Sequence, residues 1–319
     1  FPTRRSSDRI SGALAERVKF STWMVFTVLW ATIVYFPLSH MVWGGLVGGG
    51  GLLGGGEDGL AAKMFGTDEE GAANVAPIDF AGGTVVHINA GIAALVLVLI
   101  IGKRVGFGRT AYRPHNIPFV MLGAALLWFG WFGFNVGSEL GADLLAGQVW
   151  VNTTAATAAA ILGWLAVEII RDKHATSVGA ASGVVAGLVA ITPACGSLTP
   201  VGSLILGVIA GALAAVAIGL KNKFGYDDSL DVVGVHLVAG LWGTVAIGLI
   251  GEDVGLFWGG DYKQLVVQVV IALFALVFTG VLTAIIALVL KPLGWRVSDE
   301  DEKSGIDEAE HAETAYELA

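Results

Sequence analysis

The sequence is poor in the residues from which soluble chemistry is usually built. Of its 319 residues one is cysteine, Cys195, which excludes an internal disulfide and a cysteine-rich metal centre. Charged residues make up only 14% of the chain against 55% hydrophobic, and mean hydropathy is +0.74. That balance places the chain among multi-span membrane proteins. The net charge of −9 carries little information about partners, because a third of the acidic residues follow Ser298 in a terminal segment. No nucleic-acid partner is expected. No Asn-Pro-Ala triplet occurs, which argues against an aquaporin-type channel. The isolated Ser and Asp residues fit no nucleophile elbow or triad order, so no enzyme is expected either.

What the sequence does have is long stretches without charge. From Phe80 to Gly102 no Asp, Glu, Lys or Arg interrupts 23 residues, and a bilayer core needs about 20. Inside this span sits His87, and an ionisable residue in a spanning helix marks a functional site by default. The pattern returns 149 residues later: His87-Ile-Asn-Ala-Gly and His236-Leu-Val-Ala-Gly share H-x-x-A-G. Each is preceded by Asp and Gly, Asp79 and Gly83 in one case, Asp231 and Gly234 in the other. Histidines in matching places of two halves indicate an internal repeat with a site at its interface. Glycine is abundant, 46 residues, and Gly133/Gly137, Gly183/Gly187 and Gly207/Gly211 have the GxxxG spacing of close helix contacts.

In chain order, FPTRRSSD reads as translated adapter sequence and residues 1–10 are expected to be non-native or disordered, with the first methionine only at Met24. Arg9–Lys19 is a short basic approach. Phe20–Trp43 is the first span, with Pro37 loosening its last turns. Gly44–Ile78 is a long glycine-rich loop, expected to be mobile rather than packed. The His87 span follows, then spans at His115–Ser138 and Leu144–Val167. Ala175–Leu220 reads as two spans joined by a tight turn at Thr192–Pro200. Val232–Gly251 carries His236, and Gln264–Leu290 is the eighth span. The spacing thus predicts an all-α polytopic membrane protein, with a transmembrane domain over 11–291 and a charged tail over 292–319. Lys and Arg total 18, of which 16 fall on the side of both termini and 2, Lys63 and Lys263, on the other. The positive-inside rule then puts both ends and the tail in the cytoplasm and the glycine-rich loop outside.

A lone intramembrane histidine is ordinarily a neutral imidazole bonded to a neighbouring helix. Two in repeat-related positions point instead to a shared site, where adjacent imidazoles offer both donor and acceptor to a small polar molecule. A zinc site fits poorly, since two histidines leave the metal under-coordinated, and no cofactor is expected. Trp128, Trp150 and Trp258 read as an interfacial belt. Trp43, Phe134 and Ser138 lie at the outer ends of their spans and suit a cation-π and hydroxyl site at a pore mouth.

The segments DFAGGTVVHINA, PHNIPFVMLGAALLWFGWFGFNVGS, VNTTAATAAAILGW, ITPACG and DVVGVH resemble the Amt/Rh family of ammonium transporters, in its bacterial branch, from about Arg17 to Tyr316. The resemblance implies transmembrane passage of ammonium or ammonia. Trp43 and Ser138 resemble outer recruitment residues, and Phe134 the inner of two phenylalanines closing the mouth. His87 and His236 resemble twin histidines lining the pore. Asp79 is similar to an acidic residue that holds the recruitment site in shape, with a share in proton handling as a further assignment. Asp231 is its expected counterpart with a structural role, and Trp131 and Thr192 are supporting residues. The tail resembles a regulatory tail that packs between subunits. The resemblance also implies an eleven-helix inverted repeat, a homotrimer in the cell membrane and a PII-type signal protein at the cytoplasmic face. The eight spans here correspond to the fourth through eleventh, so the chain is expected to lack the first three helices. An ammonium sensor signalling through its tail is the alternative reading.

Overall fold

The computed structural model describes residues 3–44, 51–109, 112–314 and 316, with side chains from Arg9 onward. Residues 45–50 of the outer loop and 317–319 of the tail therefore lie outside the described residues. The elements are helices: α1 (Thr3–Leu14), α2 (Phe20–Trp43), α3 (Leu60–Phe65), α4 (Gly83–Ile101), α5 (Ile117–Glu139), α6 (Leu144–Asp172), α7 (Ser177–Ile191), α8 (Pro200–Phe224), α9 (Val233–Ile250), α10 (Tyr262–Val289), α11 (Asp299–Ser304) and α12 (Ile306–His311). Seven of these, α2, α4, α5, α6, α8, α9 and α10, are long and apolar enough to cross a membrane. The remaining expected span, the fifth in order, is α7, only 15 residues long, followed by the Thr192–Leu198 turn. At 1.5 Å per residue a helix of that length falls short of a bilayer core of about 30 Å.

Charged and capping residues set the helix ends where apolar runs stop. Asp143, Thr176, Thr199 and Asp261 each accept a main-chain N–H in the first turn of α6, α7, α8 and α10. Small residues then bring α6, α7 and α8 together. A Cβ at Gly207 or Gly211 would strike the main chain of α6 at Ala156 and Ala160. One at Gly187 would lie 2.7 Å from the Cα of Thr157, and one at Gly183 2.8 Å from that of Ile161. Gly133 and Gly137 differ: among the described residues nothing lies within 4 Å of a Cβ at either position, so there this GxxxG pair joins no helices. The reason is that α5 turns most of its surface outward, with only 17% of its apolar window buried.

Two segments are more ordered than their composition suggests. The first part of the basic approach belongs to α1, whose Ile10, Ala13 and Leu14 form one buried face against the rest of the bundle. Residues 3–10 are thus helical in a stretch expected to lie outside the fold. The outer loop packs as well. Leu53 is buried and donates its N–H to the Met41 carbonyl at 2.8 Å. Ala61 and Ala62 of α3 join Ala73 and Val267 in a small apolar cluster, and Gln268 of α10 grips Ile78 through both its N–H and its C=O. Bonds to neighbouring helices, which glycine content does not report, hold this loop.

The first part of the tail is also anchored. Trp295 is buried and donates its indole N–H to Ala287 at 2.9 Å. Arg296 donates to the Lys103 carbonyl at 2.6 Å and pairs with Glu302, which accepts the Val105 N–H at 2.6 Å.

Candidate functional site

Helices α4 and α9 begin in the same unusual way. The first turns, Gly83–Ile88 and Val233–Val238, are π-helical, a form that is rare and concentrated at functional sites. Each is preceded by a residue in the left-handed region, Gly82 at φ +124° and Asp231 at φ +61°. Each carries its histidine inside that turn.

The two histidines meet. Nδ1 of His87 lies 3.4 Å from Nδ1 of His236, with ring centroids 5.5 Å apart and planes 12° from parallel. The Trp131 ring lies parallel to His87 as well, with centroids 5.5 Å apart and planes 8° from parallel. Trp131, His87 and His236 are therefore nearly parallel rings, the two imidazoles meeting edge to edge through their Nδ1 atoms, and Phe134 stands edge-on to the group, 6.0 Å from His87 and 5.2 Å from Trp131. The Trp131 indole is fixed by a 3.0 Å bond to the Thr192 hydroxyl, which itself donates to the Leu188 carbonyl at 2.7 Å. His87 is completely buried, and its Nε2 has no hydrogen-bond partner among the described residues. A buried nitrogen in that state is costly, and here it belongs to one ring of the imidazole pair.

Asp79 shapes the turn from outside. Its carboxylate accepts the main-chain N–H of Gly82 (3.0 Å), Gly83, Thr84 (2.9 Å) and Val85 (3.2 Å), together with the Thr84 hydroxyl. A carboxylate at a helix N-terminus satisfies orphan donors and complements the helix dipole. Trp43 is attached to the same loop, its indole donating to the Asp79 carbonyl at 2.9 Å. Ser138 donates to the Phe134 carbonyl at 2.7 Å, which places it one turn beyond the aromatic stack. The structure thus joins His87, His236, Trp131, Phe134 and Thr192 directly, ties Ser138 on through Phe134, and ties Trp43 on through Asp79.

Asp231 is not the counterpart of Asp79. That place belongs to Asp228, which accepts the N–H groups of Val232 at 3.0 Å and Val233 at 2.7 Å. The 149-residue offset between the histidines leads from Asp79 to Asp228 and from Gly82 to Asp231. Asp231 instead occupies the left-handed position and pairs with Lys221 at 2.7 Å. Burial pushes the Asp228 carboxyl up to about 6, against the downward pull of its two N–H bonds. Its neighbour Asp227 goes the other way. Burial raises it, but bonds from Arg104 outweigh burial and hold it below the usual carboxylate value.

The loops on the side of the two termini contain a cluster that no sequence motif marks. Arg104 pairs with Asp227 at 2.8 Å and with Glu16, and its guanidinium lies 4.1 Å from the Tyr112 ring centroid. Arg17 is fully buried and donates to Ser229 at 2.9 Å and to the Ala13 carbonyl at 3.2 Å. The residues involved are scattered from Glu16 to Ser229, and no short spacing announces them. Arg9 is a second addition: its guanidinium lies 5.0 Å from the Trp131 ring and 5.7 Å from Phe134. It lines a cavity of about 330 Å³ with Leu126, Gly130, Val185 and His236.

An all-helical bundle with seven membrane-length helices, and paired imidazoles where two repeat-related helices touch, defines a multi-pass membrane protein with a histidine-lined site. The model of the Ammonium Transporter Family matches residues 7–316, and the chain belongs to that family. An ammonium transporter of Mycobacterium bovis is 54% identical over 97% of this chain, and one of Bacillus subtilis is 45% identical over 96%. The chain spans 65% of the length of the Mycobacterium bovis relative and 72% of the Bacillus subtilis one. Among solved structures, one titled "Sensor Amt Protein" superposes with a TM-score of 0.84 at 31% identity, covering 97% of this chain and 75% of that one. Candida albicans Mep2 superposes with a TM-score of 0.79 at 31% identity, covering 93% and 64%.

Proposed function

We propose that this protein carries ammonium nitrogen across the cell membrane. The cation is taken up at the outer mouth near Trp43, Phe134 and Ser138 and gives up its proton, and ammonia then passes along the His87–His236 pair. The observation that carries the reading is the 3.4 Å contact between imidazoles of repeat-related helices, with Trp131 parallel to His87 beside it.

Magnitudes favour this order of events. Moving an ammonium-sized ion into a low-dielectric medium has an idealised cost on the order of 20 kcal/mol. A desolvated cation-π contact returns only about 2 kcal/mol. Removing a proton from an amine of pKa about 10.4 near pH 7 costs roughly three units at about 1.4 kcal/mol each. Deprotonation is therefore the cheaper route, and the imidazole pair offers a path for the released proton. That route makes transport electrogenic. The excess of Lys and Arg on the side of the termini supports an inner-membrane location with a cytoplasmic tail. The outward apolar face of α5 supports contact with lipid and with further copies of the chain, in keeping with a homotrimer. Family likeness supports a PII-type protein at the inner face.

The test is reconstitution in liposomes. Ammonium-evoked current supports the electrogenic form, ammonia uptake across silent membranes supports neutral conduction, and the absence of both overturns transport. The likeness to a structure titled as a sensor favours one rival, in which ammonium alters the tail without flux. Ammonium-dependent hydrogen exchange in 295–311, measured on the same liposomes, separates the two.

A further inference from the structure

The histidines account for only the first letter of H-x-x-A-G. The last letter, Gly91 in α4 and Gly240 in α9, lies four residues on and faces the opposite helix in both halves. A Cβ placed on Gly91 would lie 2.6 Å from the N, Cα and Cβ of Leu237, the residue after His236. A Cβ placed on Gly240 would lie 2.9 Å from the Cβ of His87 and 3.4 Å from the N of Ile88, the residue after His87. The contact is reciprocal: each glycine receives the turn that bears the other helix's histidine.

We propose that Gly91 and Gly240 are positioning residues for the imidazole pair, together setting the distance between the two histidine-bearing turns and hence between the rings. Carbon atoms in contact sit about 3.5–4.0 Å apart, so a methyl group at Gly91 pushes the turns apart by about 1 Å. The ring nitrogens at 3.4 Å are already at the long end for a hydrogen bond. A further separation of that size leaves two independent imidazoles instead of a pair. Both helices are rigid and buried at the crossing, with Ile88, Ala90, Ala239 and His87 at 0% exposure, so the displacement has little room to be absorbed locally. The functional consequence, a changed gauge between ammonium and bulkier methylammonium, rests on the transport reading. The geometric claim does not.

The experiment uses the full chain in lipid bilayers with ¹⁵N-histidine, and reads the solid-state NMR correlation between the ring nitrogens of His87 and His236. In the unaltered protein that correlation is expected. Gly91→Ala and Gly240→Ala are expected to lose it several-fold while retaining helical content. Gly280→Ala, whose Cβ would meet Ile92 at an ordinary 3.5 Å, is expected to keep it. If both single variants fold and retain the full correlation, the glycines do not set the pair and the proposal is overturned. If neither single variant folds, the glycines serve the assembly of the helix crossing and not the spacing of the rings, and the proposal is overturned as well. Uptake of ammonium and methylammonium is measured in parallel. Should the unaltered protein show neither flux, the transport reading fails while the NMR result still judges the glycines.

Discussion

The two histidine turns are built to one plan and held in different ways. At the first turn Asp79 gathers four main-chain N–H groups and a hydroxyl, and His87 is fully buried beside Trp131 and its partner ring. At the second turn Asp228 holds two N–H groups, its neighbour Asp231 spans to Lys221, and His236 borders a cavity. The repeat fixes where each carboxylate and imidazole stands. The surroundings fix how many bonds hold each turn, more at Asp79 than at Asp228.

The largest expected break in this comparison is Asp79→Ala against Asp228→Ala. The first strands four buried N–H groups and should cost about 3–5 kcal/mol, as removing one partner of a buried charged network does. The second strands two and should cost about 1–3 kcal/mol. Denaturant unfolding in detergent compares them, and equal losses would mean that the bond counts do not govern. Next come the rings. His87→Ala and His236→Ala should each lower ammonium flux by about a hundredfold, with the double variant little worse than either single, since the pair acts as a unit. Smaller again is Thr192→Val, which removes the acceptor of the Trp131 indole and should cost about 1–3 kcal/mol, with a shift in tryptophan fluorescence.

The last prediction sharpens the Asp228 turn alone. Because the folded protein holds the Asp228 proton up to about pH 6, it binds more proton than the unfolded chain between the ordinary carboxylate value and that pH. This group's contribution to stability therefore falls as pH rises through that window. Asp227, held low, contributes in the opposite sense, and its share is lost as pH falls. ¹³C-aspartate titration should show a midpoint near 6 that disappears in Asp228→Asn.

Most span boundaries are legible in the sequence, because an apolar run of bilayer length without a charge has little use outside a membrane. Phe20–Trp43 matches its expected bounds to the residue, and five other spans agree within a few residues. The histidine pair is legible because repeat position, unlike local propensity, carries long-range information. Other features are hidden for physical reasons. A helix apolar all round gives no hint of which face meets a neighbour, so spacing alone does not separate Gly133/Gly137 from Gly207/Gly211. The twelve residues of α1 make a helix that is marginal by itself and is held by packing on the bundle. Proximity to the DVVGVH segment favours Asp231 over Asp228, whereas applying the repeat offset to Asp79 leads to the residue that caps the turn.

Asp227 and Asp228 are consecutive, yet one carboxylate is clasped by Arg104 and the other caps the turn that bears His236. One peptide bond joins the two, so the Arg104 cluster and the turn that bears His236 are covalent neighbours. Arg296 and Glu302 bond to Lys103 and Val105, the residues on either side of Arg104, which brings the start of the tail to within a few links of the imidazole's own scaffold.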